Sequence, residues 1–243
     1  MNLAVDIGNS VTKAGWFKQG NLLELQPSVD ADELVIRVRE QPPDRIIVSS
    51  VSAHTDKLRK AVVEPTKFIV LGPETPLPFE NTYRTPKTLG TDRIAAVAGA
   101  NALFPGQNVL VIDAGTCVTY EMLSERGQYL GGLISPGLRM RWRAMHTFTA
   151  RLPLVSLDLP EQSADLPLIG KSTEEALQGG AVFGMAAEID QIIRRYADKF
   201  AALQIVICGG DINFLRPWIL SEHRYVPELV LIGLNSIAQY EGS

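Results

Sequence analysis

Apolar and polar positions alternate in blocks that read as strands and helices from the first residue. Met1 to Val5 is a short, mostly apolar run that ends on the carboxylate of Asp6, and Val11 to Phe17 reads as a second strand. Gly8 and Asn9 between them both tolerate left-handed dihedrals, so the two runs predict a hairpin with a tight turn. Lys18-Gln19-Gly20-Asn21 marks a further turn into a third strand. Asp30 to Arg39 has helical spacing at Leu34, Val35 and Val38 and stops before Pro42-Pro43. Arg45 to Val51 is a buried-type strand, Thr55 to Glu64 a helix ended by Pro65, and Phe68 to Leu71 another strand. The order βββαβαβ predicts a mixed sheet with an antiparallel opening and parallel additions.

Gly72 to Gly90, with prolines at 73, 76, 78 and 86, shows no period; a long irregular segment inside a compact domain is usually functional. It leads into Thr91-Asp92-Arg93 and a helical run from Ile94 to Ala100, with Thr91 as the expected N-cap. The opening device then returns. Ile112-Asp113-Ala114-Gly115-Thr116-Cys117-Val118-Thr119 matches Val5 to Thr12 in outline, and Asp113 follows Asp6 by 107 residues. Val109 to Ile112, Cys117 to Leu123 and Tyr129 to Ile134 are the repeated strands. Similarity at half the chain length predicts two related α/β domains, 1–107 and 108–243, facing one another across a cleft. Later, Ser135-Pro136-Gly137 breaks the sheet and Leu138 to Phe148 is helical. Ser172 and Glu175 form a capping box opening a helix to about Arg195, Ile205 to Cys208 is a strand, and Leu229 to Tyr240 is a closing helix.

Composition narrows the class. The chain has 243 residues, 46% of them hydrophobic and 21% charged, which is ordinary for a water-soluble globular protein of one or two domains. A net charge of −4 disfavours a general nucleic-acid binder. No apolar run approaches the ~18 residues of a membrane span, and with no basic n-region or apolar h-region at the start no signal peptide is expected. Cys117 and Cys208 fit neither a disulfide framework nor a zinc site. The expected location is the cytoplasm.

The chemistry sits at the repeated turns. A glycine turn between strands can aim backbone N–H groups at an anion, a carboxylate can hold a cation, and a lysine one pleat away can reach a phosphate. Asp6, Gly8 and Lys13 are therefore equipment for a metal–nucleotide phosphate tail, although Lys13 reads equally as a solvated strand residue. Asp92 sits in the first turn of its helix, where it either serves chemistry or simply answers the helix dipole. Gly170-Lys171-Ser172 lacks the glycine of a P-loop, since Asp165 stands five residues earlier. Gly209-Gly210-Asp211 reads either as a plain strand-to-helix turn or as bare backbone for a flat ligand. Arg139, Arg143 and His146 share a helix face that is solvated, dimer-facing or, less in keeping with the net charge, directed at nucleic acid.

Taken together, these segments resemble the type III pantothenate kinases of the acetate kinase, sugar kinase, Hsp70 and actin superfamily. The match runs through Asp6 to Lys13, Tyr83 with Gly90-Thr91-Asp92-Arg93, and Asp113 to Thr116. It continues through Ile134 to Gly137, Thr149 to Pro153 and Cys208 to Asp211, nearly the whole chain. The resemblance implies two ribonuclease-H-like domains with ATP in the cleft. It also implies phosphorylation of pantothenate at its primary hydroxyl to 4′-phosphopantothenate, the first step of coenzyme A biosynthesis. By the same resemblance Asp6, Ile7, Gly8, Asn9, Ser10, Val11, Thr12 and Lys13 form the first phosphate turn, and Thr116 contacts ATP from the second. Asp92 would be the proton acceptor, and Tyr83, Gly90, Thr91, Asp92, Arg93 and Thr173 would contact pantothenate. Asp113 would bind a monovalent cation, potassium or ammonium, with magnesium near Asp6, in a homodimer. Ser10, Glu121 and Cys208 depart from the common family residues without removing a group the chemistry needs.

Successive helical residues diverge by about 100°. Arg93 is therefore expected not to pair with Asp92, but to reach pantothenate's carboxylate or the partner subunit. Two alternatives remain: a catalytically inactive relative acting as a transcriptional regulator, and another small-molecule kinase on the same scaffold.

Overall fold

Short apolar strands flanked by amphipathic helices fold as the pattern predicts. The computed structural model describes residues 1–8, 11–50, 52–155 and 166–240. In chain order the strands and helices are β1 (Asn2–Ile7), β2 (Thr12–Lys18), β3 (Asn21–Gln26), α1 (Ala31–Glu40), β4 (Arg45–Val48), α2 (Ala53–Ala61), β5 (Lys67–Val70), β6 (Glu80–Asn81) and α3 (Thr91–Leu103). They continue with β7 (Val109–Ala114), β8 (Cys117–Leu123), β9 (Gln128–Pro136), α4 (Leu138–Thr147), α5 (Thr173–Ala197), β10 (Gln204–Cys208), α6 (Ile212–Leu215), β11 (Arg224–Tyr225) and α7 (Leu229–Tyr240). By contact the chain divides into two compact units. The first comprises 1–106, 123–131 and 228–243, and the second 107–122 and 132–227.

The first unit is built on a five-stranded sheet in the order β3-β2-β1-β4-β5. β1, β2 and β3 are antiparallel neighbours, and β4 and β5 add in parallel. Leu3, Val5, Ala14, Trp16, Ile46 and Val48 share one face and pack with Leu34 and Val38 of α1 and Leu58 of α2. β1 and β4 are buried on both faces, which is why Ile46-Ile47-Val48 reads as an unbroken apolar run. On the opposite face α7 packs against β1, β2 and β4. α7 also lies on α3, a helix of small residues buried from Arg93 to Ala100. The two helices approach so closely that a Cβ on Gly233 would lie 1.7 Å from the carbonyl oxygen of Ala95. The Asn2 side chain donates to that of Asn235 at 3.0 Å, tying the closing helix to the first strand.

The second unit carries strands in the order β11-β10-β7-β8-β9, with β10 parallel to both β7 and β11. The start of β9 pairs in parallel with β6 through Gln128 and Tyr129, inside the first unit. Leu110, Ile112, Val118 and Tyr120 meet Leu138 and Trp142 of α4 and Val182, Met185 and Ile189 of α5. The Trp142 indole donates to the Leu177 carbonyl at 2.9 Å. A polar bridge runs beside this core: the Tyr120 hydroxyl donates to Glu188 at 3.0 Å, and Arg141 donates to the other Glu188 oxygen at 2.5 Å.

Local chemistry moves some boundaries. Ser52 caps α2: its hydroxyl accepts from Thr55 N–H at 3.2 Å, so the helix starts at Ala53 rather than Thr55. Gly90 occupies the N-cap of α3 in place of Thr91, which is the first helical residue. β9 runs on through Ser135 and Pro136 rather than breaking there. Ser172 caps α5 as expected, accepting from Glu175 N–H at 3.1 Å, while the Glu175 carboxylate reaches back to Lys171 N–H at 2.6 Å.

Gly233→Ala should force α7 off α3 and cost about 2 to 3 kcal/mol of unfolding free energy. Urea titration by circular dichroism measures it, and an unchanged midpoint would refute the close approach.

Candidate active site

In the first unit the site begins at the β1–β2 turn. Asp6 lies directly opposite Lys13 and Ile7 opposite Thr12. Directly opposed residues of an antiparallel pair project to the same face, so Asp6 and Lys13 stand side by side. The Asp6 carboxyl is held above the usual carboxylate range, chiefly because burial penalises its charge. A hydrogen bond from the Ser49 hydroxyl and the Lys13 cation pull it down, and the Asp92 carboxylate pushes it up. Asp6, Lys13 and Asp92 therefore share one electrostatic neighbourhood. Ser49 is fixed in turn by the Ile7 N–H, which donates to its hydroxyl at 2.8 Å.

The turn amides are used differently from the expectation. Gly8 N–H donates to the Val11 carbonyl at 3.1 Å, and in the second unit Gly115 N–H donates to that of Cys117 at 3.0 Å. The glycine amides close the turns, because a chain reversing so tightly brings each onto a carbonyl across it. Asn9 and Ser10 lie outside the described residues. Beside the first turn is a cavity of about 430 Å³ whose walls include Ile7, Gly8, Val11 and Thr12, with Ser52 and His54 from the start of α2. The positive end of that helix favours an anion in the same space.

Asp92 is exposed in the first turn of α3, and its Oδ1 accepts from Arg93 N–H at 2.9 Å. A Cβ on Gly90 would sit 2.4 Å from that oxygen, which gives the glycine two residues before the aspartate its physical reason. Arg93 is only 7% exposed and points into the protein. Its guanidinium donates to the Tyr129 hydroxyl at 3.1 Å and lies 5.4 Å from the centre of the Tyr83 ring. Tyr83 is half-buried and stacks on Tyr129. Sequence reasoning missed Tyr129, which reads there as an ordinary strand aromatic; its only signal is its place just before Gly131-Gly132.

In the second unit three segments meet. Asp113, half-buried, is the penultimate residue of β7, and Thr116 is exposed in the turn that follows it. Gly137 N–H donates to the Thr116 carbonyl at 3.2 Å and Asp211 N–H to that of Ala114 at 3.0 Å. Only glycine fits at Gly137 and Gly209, where a Cβ would lie 2.2 Å from the Gly115 carbonyl oxygen and 2.3 Å from that of Ala114. The Asp211 carboxyl is buried, which raises its pKa, while the Arg139 guanidinium 3.8 Å away draws it back down. Thr173 is exposed at the first position of α5. Arg143 and His146 are exposed on α4, as is the stretch 149–151 that follows it. Cys117 and Cys208 are thiols outside any disulfide, and no helix among the described residues is long and apolar enough to cross a membrane.

A fit for magnesium can be judged from the acids present. Among the described residues no three acids, histidines or cysteines gather as a ready metal cage. Magnesium usually needs only one or two carboxylates, completed by water and substrate phosphates. Asp6, disfavoured as a charge by burial and by Asp92, is relieved by a cation, so the residues fit that ion.

Comparison with known proteins follows the same lines. A ROK hexokinase from Thermus thermophilus superposes with a TM-score of 0.55 at 14% identity, covering 99% of both chains. A candidate Baf family transcriptional activator from Campylobacter jejuni gives 0.57 at 24% identity, covering 99% of this chain and 98% of the other. These likenesses place the fold among the two-domain ribonuclease-H-like proteins that include sugar kinases. Sequence goes further. A type III pantothenate kinase from Phocaeicola vulgatus is 41% identical over 246 residues, covering 99% of this chain and 98% of that protein. The family described as type III pantothenate kinase matches residues 2–195, and the chain belongs to it.

The raised pKa of Asp6 has a measurable stability consequence. The folded protein disfavours the charged form, and that cost is fully present above the folded pKa, fades as pH falls from there, and is gone below the unfolded value near 3.8. Asp6→Asn should therefore raise the Tm at pH 7, with the gain shrinking toward pH 3. Calorimetry across that range reads it, and a lowered Tm at pH 7 would contradict the burial argument.

Proposed function

We propose that this protein transfers the γ-phosphoryl group of ATP to the primary hydroxyl of pantothenate, giving 4′-phosphopantothenate for coenzyme A biosynthesis. The observation that supports the reading is that the Asp92 carboxylate acts on Asp6, which stands across from Lys13 at the β1–β2 turn. Family membership supplies the substrate pair.

Asp6, Ile7, Gly8, Val11, Thr12 and Lys13, together with Asn9 and Ser10, hold the phosphates, and Thr116 makes a further contact to ATP. Magnesium, held by Asp6, supplies charge neutralisation on the transferring group. Asp113 is the site for a monovalent cation, potassium or ammonium. Tyr83, Gly90, Thr91, Arg93 and Thr173 bind pantothenate, in a homodimer working in the cytoplasm. The first and second halves of the chain act as two domains, each bringing one turn.

Phosphoryl transfer through a loose transition state asks for alignment more than for a strong base. Asp92 meets that need. Its Oδ1 is occupied by Arg93 N–H, which fixes the carboxylate and leaves the second oxygen to receive and aim the pantothenate hydroxyl. The proton leaves late, after the bond to phosphorus has begun to form, so a strong base is not needed. Lys13, across from Asp6, offsets charge on the phosphates.

Incubation with magnesium-ATP and pantothenate, read by mass spectrometry, should yield 4′-phosphopantothenate, with more product in potassium or ammonium than in sodium. Asp92→Asn should lower turnover by about 100-fold or more while leaving ATP affinity nearly unchanged. Turnover close to that of the unaltered protein would remove Asp92 from the role of base.

A further inference from the structure

Tyr129 is fully buried, yet its hydroxyl and ring both serve residues at the substrate end of the site. The hydroxyl accepts from Arg93 Nη2 at 3.1 Å. The ring stacks on Tyr83, with centroids 5.9 Å apart and planes 15° from parallel, and Phe79 packs edge-on at 6.3 Å. The main chain holds the same segment. Tyr129 pairs with Asn81, and its carbonyl accepts from the Thr82 N–H at 3.2 Å and the Thr82 hydroxyl at 2.6 Å. One residue of β9 thus grips the irregular segment just before Tyr83 and the first turn of α3 at once.

We propose that Tyr129 is a positioning residue for pantothenate: it contacts no reacting atom and acts by fixing Arg93 against the face of Tyr83. The proposal rests on the functional reading above. A buried arginine has many rotamers, and its planar fork must be oriented to be selective. Here the hydroxyl of Tyr129 sets the fork's direction, and the Tyr83 ring, immobilised on Tyr129, sets its plane. The same two contacts fix Tyr83 and Arg93 against each other near the start of the Asp92 helix before substrate arrives. Preorganisation of this kind is expressed in substrate affinity rather than in the chemical step.

Tyr129→Phe keeps the ring and its stack and deletes the hydroxyl that accepts from Arg93. Steady-state kinetics should show the KM for pantothenate rising about ten-fold, the loss expected for a hydrogen bond to a charged group. The KM for ATP and kcat should stay within about two-fold of their starting values. In an Arg93→Lys background the same change should add little, because the partner it orients is gone. Circular dichroism melting of each variant separates loss of fold from loss of positioning. An unchanged pantothenate KM in Tyr129→Phe would overturn the proposal, as would an equal rise in both KM values or a full additive effect beside Arg93→Lys. Absence of product from the unaltered protein would instead overturn the functional reading on which it stands.

Discussion

The antiparallel register of β1 and β2 is the constraint from which both core and site follow. In that register Asp6 stands across from Lys13, while Val5 stands across from Ala14 and Leu3 from Trp16. The side-chain period of a strand is two, so a slip of one residue would turn every side chain to the opposite face. Leu3, Val5 and Trp16 would then leave the core against α1 and α2, and the carboxylate would lose the cation beside it. The apolar contacts that stabilise the sheet are what keep a disfavoured charge in place. Asp6 is tolerated because moving it would unpack the first unit.

The two units fix their turns and helix starts in different ways. In the first unit a carboxylate is set by a helix start: Gly90 makes room, Arg93 N–H takes one oxygen, and the Arg93 side chain turns inward to the aromatic pair. In the second unit the backbone does the work. Gly137 and Gly209 press against the carbonyls of the Ala114 to Thr116 turn at distances no side chain permits. Several segments are thereby held by main-chain hydrogen bonds, which vary less with thermal motion than long side chains do.

Much of this was legible in the residues. The βββαβαβ order, the repeated aspartate–glycine turn, the Ser172 cap and the limits of α7 follow from period, turn chemistry and capping, all of which are local. What escaped was non-local or competed with a local signal. Ser52 outbid the apparent start of α2 at Thr55 because a serine hydroxyl satisfies an orphan N–H three residues on. The glycine amides of the two turns looked available for an anion, but each is consumed by a carbonyl that only the folded turn brings near. Tyr129 was invisible because its importance lies in Arg93 and Tyr83, 36 and 46 residues earlier. Whether Lys13 faces Asp6 or solvent was undecided until the register was known.

The seat of α7 has a temporal consequence. Asn2 and Asn235 are partners, so the first strand must wait for almost the whole polypeptide to emerge before its sheet is covered. The intervening unit can condense on the ribosome as soon as residues 107 to 227 are clear, while the opening sheet still shows an uncovered apolar face. Nascent chains of this protein should therefore depend on chaperone shielding of their earliest segment until α7 has emerged, and contacts of such large sequence separation make that docking slow.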